Sequence, residues 1–427
     1  MALAQWNVFI FQTTLDTIKF MKYLYSLIGI LLSINLLAQE SVVKDTTETH
    51  NLSLYGFARS EMFINSRENV EAMGGVICLY PKPVSYDNTG MDINGNVNGS
   101  FLAVTSRLGV KYTFSNDKVK LGANIEGDFG ATLSGFHAFR LRHAFVFANY
   151  KSHNFIIGQT WHPFYDGVFP NVLTLNGGAP FAILNRSPQV RYEFSANKNW
   201  TLIASFVAEA NRNISPEAVL GVSYKNKNWK AGIMGDYRYA SNEVHFEKKD
   251  VNRKVGLNSF VGTVYAQYTK DLFTMNARVL GGQNLSYLTK WGAIALTEKD
   301  EENLTADFNN MNQIATYFCA SYGKTWRVNI FGGYLKSLGY SKPVLGTDII
   351  GAGSDIDQMY RATASVEYNY KGLNVALEGE FTGATYASLD EDMMHLKPLA
   401  TDADVYNMRG VLRVTYTFSK DWNWTKK

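Results

Sequence analysis

Between residues 51 and 418, apolar and polar side chains alternate with period two in sixteen separate runs, each about ten residues long. Nowhere in that span does a 3.6-residue apolar period persist for three turns, so the chain reads as strands throughout. The runs lie near 51–64, 101–114, 118–129, 137–150, 154–162, 188–196, 199–209, 217–225, 228–239, 257–270, 272–284, 312–322, 325–337, 358–370, 372–385 and 406–418. In 101–114, Leu102, Val104, Leu108, Val110, Tyr112 and Phe114 share one face, and Thr105, Arg107, Lys111 and Thr113 share the other. The connections alternate as well. Tight links such as 115–117, 151–153, 197–198, 226–227, 270–271, 323–324 and 371–372 are interleaved with longer ones, among them 65–100, 163–187, 240–256, 285–311, 338–357 and 386–405. An even strand count with tight turns at one end and long loops at the other predicts an all-β fold, a transmembrane antiparallel β-barrel of about 16 strands. Closure is what lets a sheet cross lipid, because it leaves no unpaired edge. A secreted sandwich or propeller also alternates, but no blade-length repeat is present and the short–long rhythm does not suit either fold.

Composition removes other classes. Charged residues make up 19% of the chain and aromatics 14%, with a formal net charge of +3, which leaves no nucleic-acid footprint. Aromatics gather where strands meet their ends, as at Trp200, Tyr224, Trp229, Tyr268, Trp326 and Tyr368, the pattern of a membrane girdle. The two cysteines, Cys78 and Cys319, form no C-x-x-C pair. No G-x-S-x-G, H-E-x-x-H or P-loop occurs, and the sequence implies no cofactor, no metal and no catalytic residue. The acidic runs Asp348/Asp355/Asp357 and Asp390/Glu391/Asp392 read as solvated loops before they read as calcium ligands.

Residues 23–38, YLYSLIGILLSINLLA, follow Met21-Lys22 and end in a small residue, the layout of a secretory signal peptide. Residues 1–20 precede a complete signal and are expected to be a mis-assigned extension. The expected organisation is then signal 21–38, periplasmic linker 39–50, barrel 51–418 and a C-terminal tail 419–427, in which Trp422 and Trp424 alternatively extend the last strand.

If apolar faces meet lipid, the opposite parity lines the lumen. It carries Arg107, Lys111, Arg140, Arg142, Arg191, Arg409 and Arg413, and the acids Glu126, Asp128, Glu193, Glu367, Glu378 and Glu380. Basic and acidic rows facing each other across a constriction would set up a transverse field and orient a polar solute. The same charges also suit mutual pairing in a wet lumen without solute preference, so both readings stand. His143 falls on the outward parity. The link 163–187 is apolar, with Phe164, Val168, Phe169, Leu173, Phe181 and Ile183, and would be costly as a surface loop. It is expected to fold into the barrel as a constriction loop edged by Asp166, Asn171, Thr174, Asn176 and Arg186, or else to latch onto a neighbouring subunit.

The segments GQTWHPFYDG (158–167) and NRSPQVRYEF (185–194), with YGFARSEMF (55–63), TSRLGVKY (105–112), RLRHAFVF (140–147) and RVTYTF (413–418), resemble the DcaP-like trimeric porins. That family is related to the phosphate-selective porin O/P group and has divergent Bacteroidetes members. The resemblance implies a homotrimer in a Gram-negative outer membrane, in contact with lipid and lipopolysaccharide, with both termini periplasmic. It also implies passive diffusion of small polar solutes, anionic carboxylates among them. The small outward residues Gly56, Ala58 and Ser60 suit close approach of two barrel walls. The chain departs from the pattern in two places. Only about a dozen polar residues precede strand one, where a coiled coil would stand, and the 163–187 link has no lysine, which removes the basis for phosphate selectivity. Two other functions compete. One is a structural or adhesive barrel using loops 65–100 and 285–311; the other is an outer-membrane hydrolase.

The leader reading has a direct check. Protein recovered from outer membranes should lack residues 1–38, and mass spectrometry should find its N-terminus near Gln39.

Overall fold

The computed structural model describes residues 47–133, 136–173, 178–208, 216–346 and 348–426. The expected signal peptide and most of the linker lie outside the described residues, as do Thr174 and Asn176. Residues Thr49–Thr425 form one compact unit.

Sixteen strands build the barrel wall. They are β1 (Glu48–Asn65), β2 (Asn98–Leu102 continued by Arg107–Ser115), β3 (Val119–Leu133), β4 (Phe136–Tyr150), β5 (His153–Trp161), β6 (Arg186–Ser195), β7 (Trp200–Val207) and β8 (Glu217–Lys225). The second half is β9 (Trp229–Phe246), β10 (Val251–Lys270), β11 (Phe273–Gln283), β12 (Thr305–Gly323), β13 (Trp326–Tyr340), β14 (Ile356–Tyr370), β15 (Leu373–Leu389) and β16 (Asp404–Lys426). Neighbours in sequence pair in space, and β16 pairs back onto β1 to close the wall. The all-β closed barrel read from the alternation is therefore the fold. The last strand runs on through residues 419–426 and does not end at Phe418. Its extension stays paired because Asn51 donates to Asn423, Ser53 donates to Asp421, and Trp424 stacks on His50 with ring centres 5.3 Å apart. The expected free tail is thus strand.

Local chemistry explains the tight turns. The side-chain carbonyls of Asn116, Asn197 and Asn226 each accept two backbone N–H groups two and three residues on, at 2.7–3.0 Å. These Asx-type turns reverse the chain without help from a partner strand. Beside such turns, cross-strand aromatic pairs recur: Trp200–Tyr224, Trp229–Tyr268 and Trp326–Tyr368, each with ring centres 4.9 Å apart. Gly323 closes another turn at φ 121°, where a Cβ would lie 1.9 Å from the Trp326 carbonyl oxygen.

The interior is where simple alternation fails. On β7 to β15 many inward positions are apolar and buried, among them Ile203, Val219, Met234, Leu280, Phe331 and Met359. Three segments fold in against them and complete one core. The first is the hairpin Asn69–Ala72/Ile77–Pro81, which brings Leu79 and Tyr80. The second is the link after β5, whose Phe164, Phe181 and Ile183 are 0–2% exposed. The third follows β11 and carries a short helix, α1 (Ser286–Thr289), which buries Leu285, Leu288 and Trp291. Gly333 on β13 makes room for the Phe181 ring, which sits 2.6 Å from where a Cβ would stand. The infolded constriction expected of 163–187 is therefore present, and the subunit-latch alternative is overturned. The expectation that 285–311 is a surface loop fails for its first part, because its apolar residues fill the lumen.

Cys78 and Cys319 are both buried and free. Non-reducing peptide mapping should recover each as an unpaired thiol after denaturation in an alkylating agent.

Candidate functional site

The infolded segments leave room along one side of the barrel. A cavity of about 360 Å³ lies between the inner wall of β1 to β6 and the infolded segments. Arg59, Arg107, Arg140, Arg142, Arg186 and Lys290 reach it, and Asp128 is its one acidic lining residue. Met73, Ile77, Leu184 and Tyr287, all from the infolded segments or their ends, add apolar and aromatic surface.

The strands set this arrangement. Arg107 on β2 stands opposite Asp128 on β3, which stands opposite Arg140 on β4. Arg140 grips Asp128 through two nitrogens at 2.6 and 3.1 Å. Arg142, buried, reaches Glu126 and Asp128 at 2.8 Å each, and Arg107 lies 3.3 Å from Glu126. Fork-shaped contacts of this kind hold both the position and the plane of a guanidinium. Arg59 is anchored by Thr415 at 3.1 Å. Arg186 stacks on Trp161, with its guanidinium carbon 4.6 Å from the ring centre. Lys290 sits at the end of α1 with φ 71° and is exposed to the lumen. Partial desolvation, followed by the neighbouring charges of Arg186 and then Arg140, pushes its ammonium below the ordinary lysine range.

Of the residues expected in the lumen, Arg107, Arg140, Arg142, Glu126 and Asp128 come together, and Arg186 joins them. The acids sit between the arginines, so no basic row faces an acidic row across the opening. Lys111 is exposed elsewhere in the lumen, over the Phe147 ring at 5.6 Å. Arg191 turns to the Trp161 carbonyl, Gln189 and Glu193. Arg409 donates to the Gly75 carbonyl at 2.8 Å and to Asn65. Arg413 donates to the Leu173 carbonyl, to Asn374 and to Glu367. These three are therefore anchors and do not line the cavity. Glu378 accepts from the Leu173 N–H at 3.0 Å, and Glu380 lies 3.2 Å from Arg361. Glu193 accepts from Asn154.

The expected edge of the constriction is corrected in the same way. Asp166 accepts from Tyr265 and Ser223 and pairs with Lys230 at 3.1 Å, so it faces the β8–β10 wall. Asn171 donates to Ser321 and faces β12. Leu184, Asn185, Arg186 and Ser187 edge the cavity in their place. His143 is also corrected. A bulge between Glu126/His143 and Gly127/Leu141 turns it inward, where it is 7% exposed and bonded to Thr160 at 3.1 Å.

Two arginines that the sequence reading passed over hold the constriction. Arg278 on β11 donates to the carbonyls of Phe164, Tyr165 and Val168. Arg361 on β14 donates to those of Ala179, Cys78 and Leu79, joining two infolded segments. Their inward parity was the available signal; their carbonyl partners leave no periodic mark.

His162, Glu217 and Asp236 each bring one ligand-capable atom to within 4.8 Å of the others, the one such group among the described residues. The His162 Nδ1 accepts the Phe164 N–H at 3.2 Å, so the neutral ring carries its proton on Nε2, which meets Glu217 at 3.1 Å. A metal would need that same Nε2 position. The group therefore fits a hydrogen-bonded buttress at the root of the constriction better than a metal centre. The acidic runs stay separate as well, with Asp357 paired to Lys336 and Asp390 accepting backbone N–H groups from Met394 and His395.

Replacing Arg361 with Met should leave three carbonyls without their donor and cost about 3–5 kcal/mol, the scale for breaking a buried charged network. A lower temperature for the loss of the folded band on unheated gels, relative to the unmodified protein, checks this.

No family model matches the chain, and no curated protein matches it. Solved structures do share its fold. The outer-membrane channel DcaP of Acinetobacter baumannii superposes with a TM-score of 0.62 at 15% identity, over 86% of this chain and 97% of that one. An anion-selective porin from Comamonas acidovorans gives 0.56 at 12% identity, over 86% and 100%. The trimer form of OmpT, an outer membrane protein of Vibrio cholerae, gives 0.53 at 14% identity, over 86% and 99%. At these identities the likeness is one of fold: a porin-type barrel.

Proposed function

We propose that this barrel is an outer-membrane channel for passive diffusion of small polar solutes, and that it favours anions over cations. The observation that carries this reading is the cavity beside the constriction, where six cationic side chains meet one acidic one. An anion leaving bulk water loses hydration, and guanidinium and ammonium N–H groups replace it with charge-assisted hydrogen bonds. A cation gains no such partner there and meets repulsion from every side except Asp128. Arginine is tolerated at this depth because the lumen is wet; facing lipid at mid-bilayer, the same residue would cost roughly 2–4 kcal/mol. The anion-selective porin among the fold relatives supports the same direction.

The seat of the protein follows from the same reading. The aromatic pairs beside the tight turns suit a membrane interface, and the tight-turn end is taken as periplasmic, with both termini there. The export signal in residues 21–38 fits a Gram-negative outer membrane. Three-fold assembly is supported by the trimer form of one fold relative and by the small outer face of β1 at Gly56, Ala58 and Ser60. The adhesive-barrel alternative loses part of its surface, because the start of the 285–311 link lies inside the barrel.

The test is the reversal potential of purified protein in a planar bilayer under a potassium chloride gradient. The expected sign is that of chloride permeation exceeding potassium permeation. A potential of the opposite sign removes the anion preference and leaves a general channel.

A further inference from the structure

The tight-turn end of the barrel carries a charge pattern that neither the lumen nor the constriction uses. Every tight turn has a lysine in it or at the strand end beside it: Lys118, Lys151, Lys198, Lys227, Lys270, Lys324 and Lys371. The carboxylates of those turns are Asp117 and Asp271. The far end is different. There the link between β15 and β16 carries Asp390, Glu391, Asp392 and Asp402, and the turn before β12 carries Glu301 and Glu302. A surface charged for solubility alone mixes both signs at both ends. Six of the lysines also stand within two residues of a ring of the aromatic belt. Lys-x-Trp occurs at 198–200, 227–229 and 324–326, Tyr-Lys at 150–151 and 370–371, and Tyr-x-Lys at 268–270. Tyr150, Trp200, Trp229, Trp326 and Tyr370 are 43–64% exposed on the outer wall. The Lys151 ammonium lies 5.1 Å from the centre of the Tyr150 ring, and that of Lys371 lies 5.3 Å from the Tyr370 ring. All six lysines are exposed, and among the described residues none has a carboxylate within ion-pair distance.

We propose that this ring of lysines is a docking surface for the headgroups of anionic phospholipids, whose phosphates it collects around the turn end of the barrel. The surface rests on the reading of the chain as an outer-membrane barrel with its tight turns toward the periplasm, and gives that end a partner class. The occupant follows from placement. A cation one step beyond an interfacial ring, its stem lying along that ring, stands at the depth of lipid headgroups. A phosphodiester offers it charge-assisted acceptors, and lysines at a membrane surface attract a leaflet of net negative charge. A zwitterionic headgroup brings a cation of its own, which the ring repels, so the preference is for lipid with net charge. An acidic cell-wall polymer would meet the lysines from the periplasmic side and would draw no benefit from their lying against outward rings. The lysine–ring pairs therefore favour lipid.

The test uses the full-length barrel in phosphatidylcholine vesicles holding a trace of spin-labelled lipid, because lipid held at the wall gives a motionally restricted signal. A lysine beside an anionic headgroup raises local association about fivefold, and averaging with the lysine-poor loop half gives about threefold for phosphatidylglycerol over phosphatidylcholine. Salt at about 1 M should remove most of that difference. The six-lysine variant Lys151→Gln/Lys198→Gln/Lys227→Gln/Lys270→Gln/Lys324→Gln/Lys371→Gln should bring the ratio close to one. Lys248→Gln/Lys249→Gln/Lys254→Gln, at the loop end, should leave it near the wild-type value. The pair Lys151→Gln/Lys371→Gln should remove part of the preference, and serves if the six-lysine variant fails to fold. A wild-type ratio of one, or a ratio unchanged in the six-lysine variant, overturns the docking surface, while a conducting barrel leaves the channel standing. Co-sedimentation of the wild type but not of the six-lysine variant with purified cell-wall sacculi, alongside a lipid ratio of one, assigns the ring to the polymer and also overturns the proposal. Failure of the wild type to enter vesicles is a separate result, which overturns the membrane reading and the surface together.

Discussion

Backbone carbonyls that leave a sheet and enter the middle of a barrel have no ladder to complete, and here inward arginines complete it. Arg278 gathers the carbonyls of Phe164, Tyr165 and Val168, and Arg361 those of Ala179, Cys78 and Leu79. Arg409 takes Gly75 and Arg413 takes Leu173. A guanidinium has five donors in a rigid plane, so one side chain can serve several carbonyls at once. Without such donors the infolded segments would need water at each of these groups, and the apolar packing beneath them would be wet. The shape of the lumen depends on this one interaction repeated around the wall.

What it secures is an off-centre passage. The infolded segments bury their apolar side chains against β7 to β15. The side along β1 to β6 keeps its charges and its space. Arginine therefore has two roles in one barrel. On β11, β14 and β16 it is spent on loop backbone; on β2 and β4 it is held by Glu126 and Asp128 and faces the cavity. Asp128 accepts from both Arg140 and Arg142 and is buried, so it fixes both side chains in place while answering part of their charge.

The parts of this architecture legible in the sequence are those written in a period of two. Strand number, closure and the inward parity of Arg107, Arg140, Arg142, Glu126 and Asp128 follow from alternation, because a strand turns each successive side chain to the opposite face. His143 escaped because one bulge residue shifts parity, and nothing in RLRHAFVF marks the bulge. Asp166 and Asn171 read from sequence as polar edges of a constriction loop, but a polar side chain in a half-dry lumen goes to the nearest partner. Those partners are Tyr265, Ser223 and Ser321 on distant strands. Lys290 and Tyr287 were hidden by a long link that read as surface, although Leu285, Leu288 and Trp291 within seven residues were a sign of burial.

The same physics explains why the cavity keeps charges that nothing in the wall answers. A core residue such as Glu217 or Asp236 has no water to turn to, so partners must be supplied by neighbouring side chains; His162 and Tyr287 do that here. Arg186 and Lys290 stand at the boundary, close enough to the apolar packing to be positioned by it and close enough to lumen water to stay charged. Their orientation comes from Trp161 and from the end of α1, not from an acid. Orientation without neutralisation leaves a field that extends into the passage, whereas the paired arginines expose mostly the far edge of a dipole. Selectivity in such a barrel is therefore set less by how many basic residues face the lumen than by how few of them the protein has already satisfied.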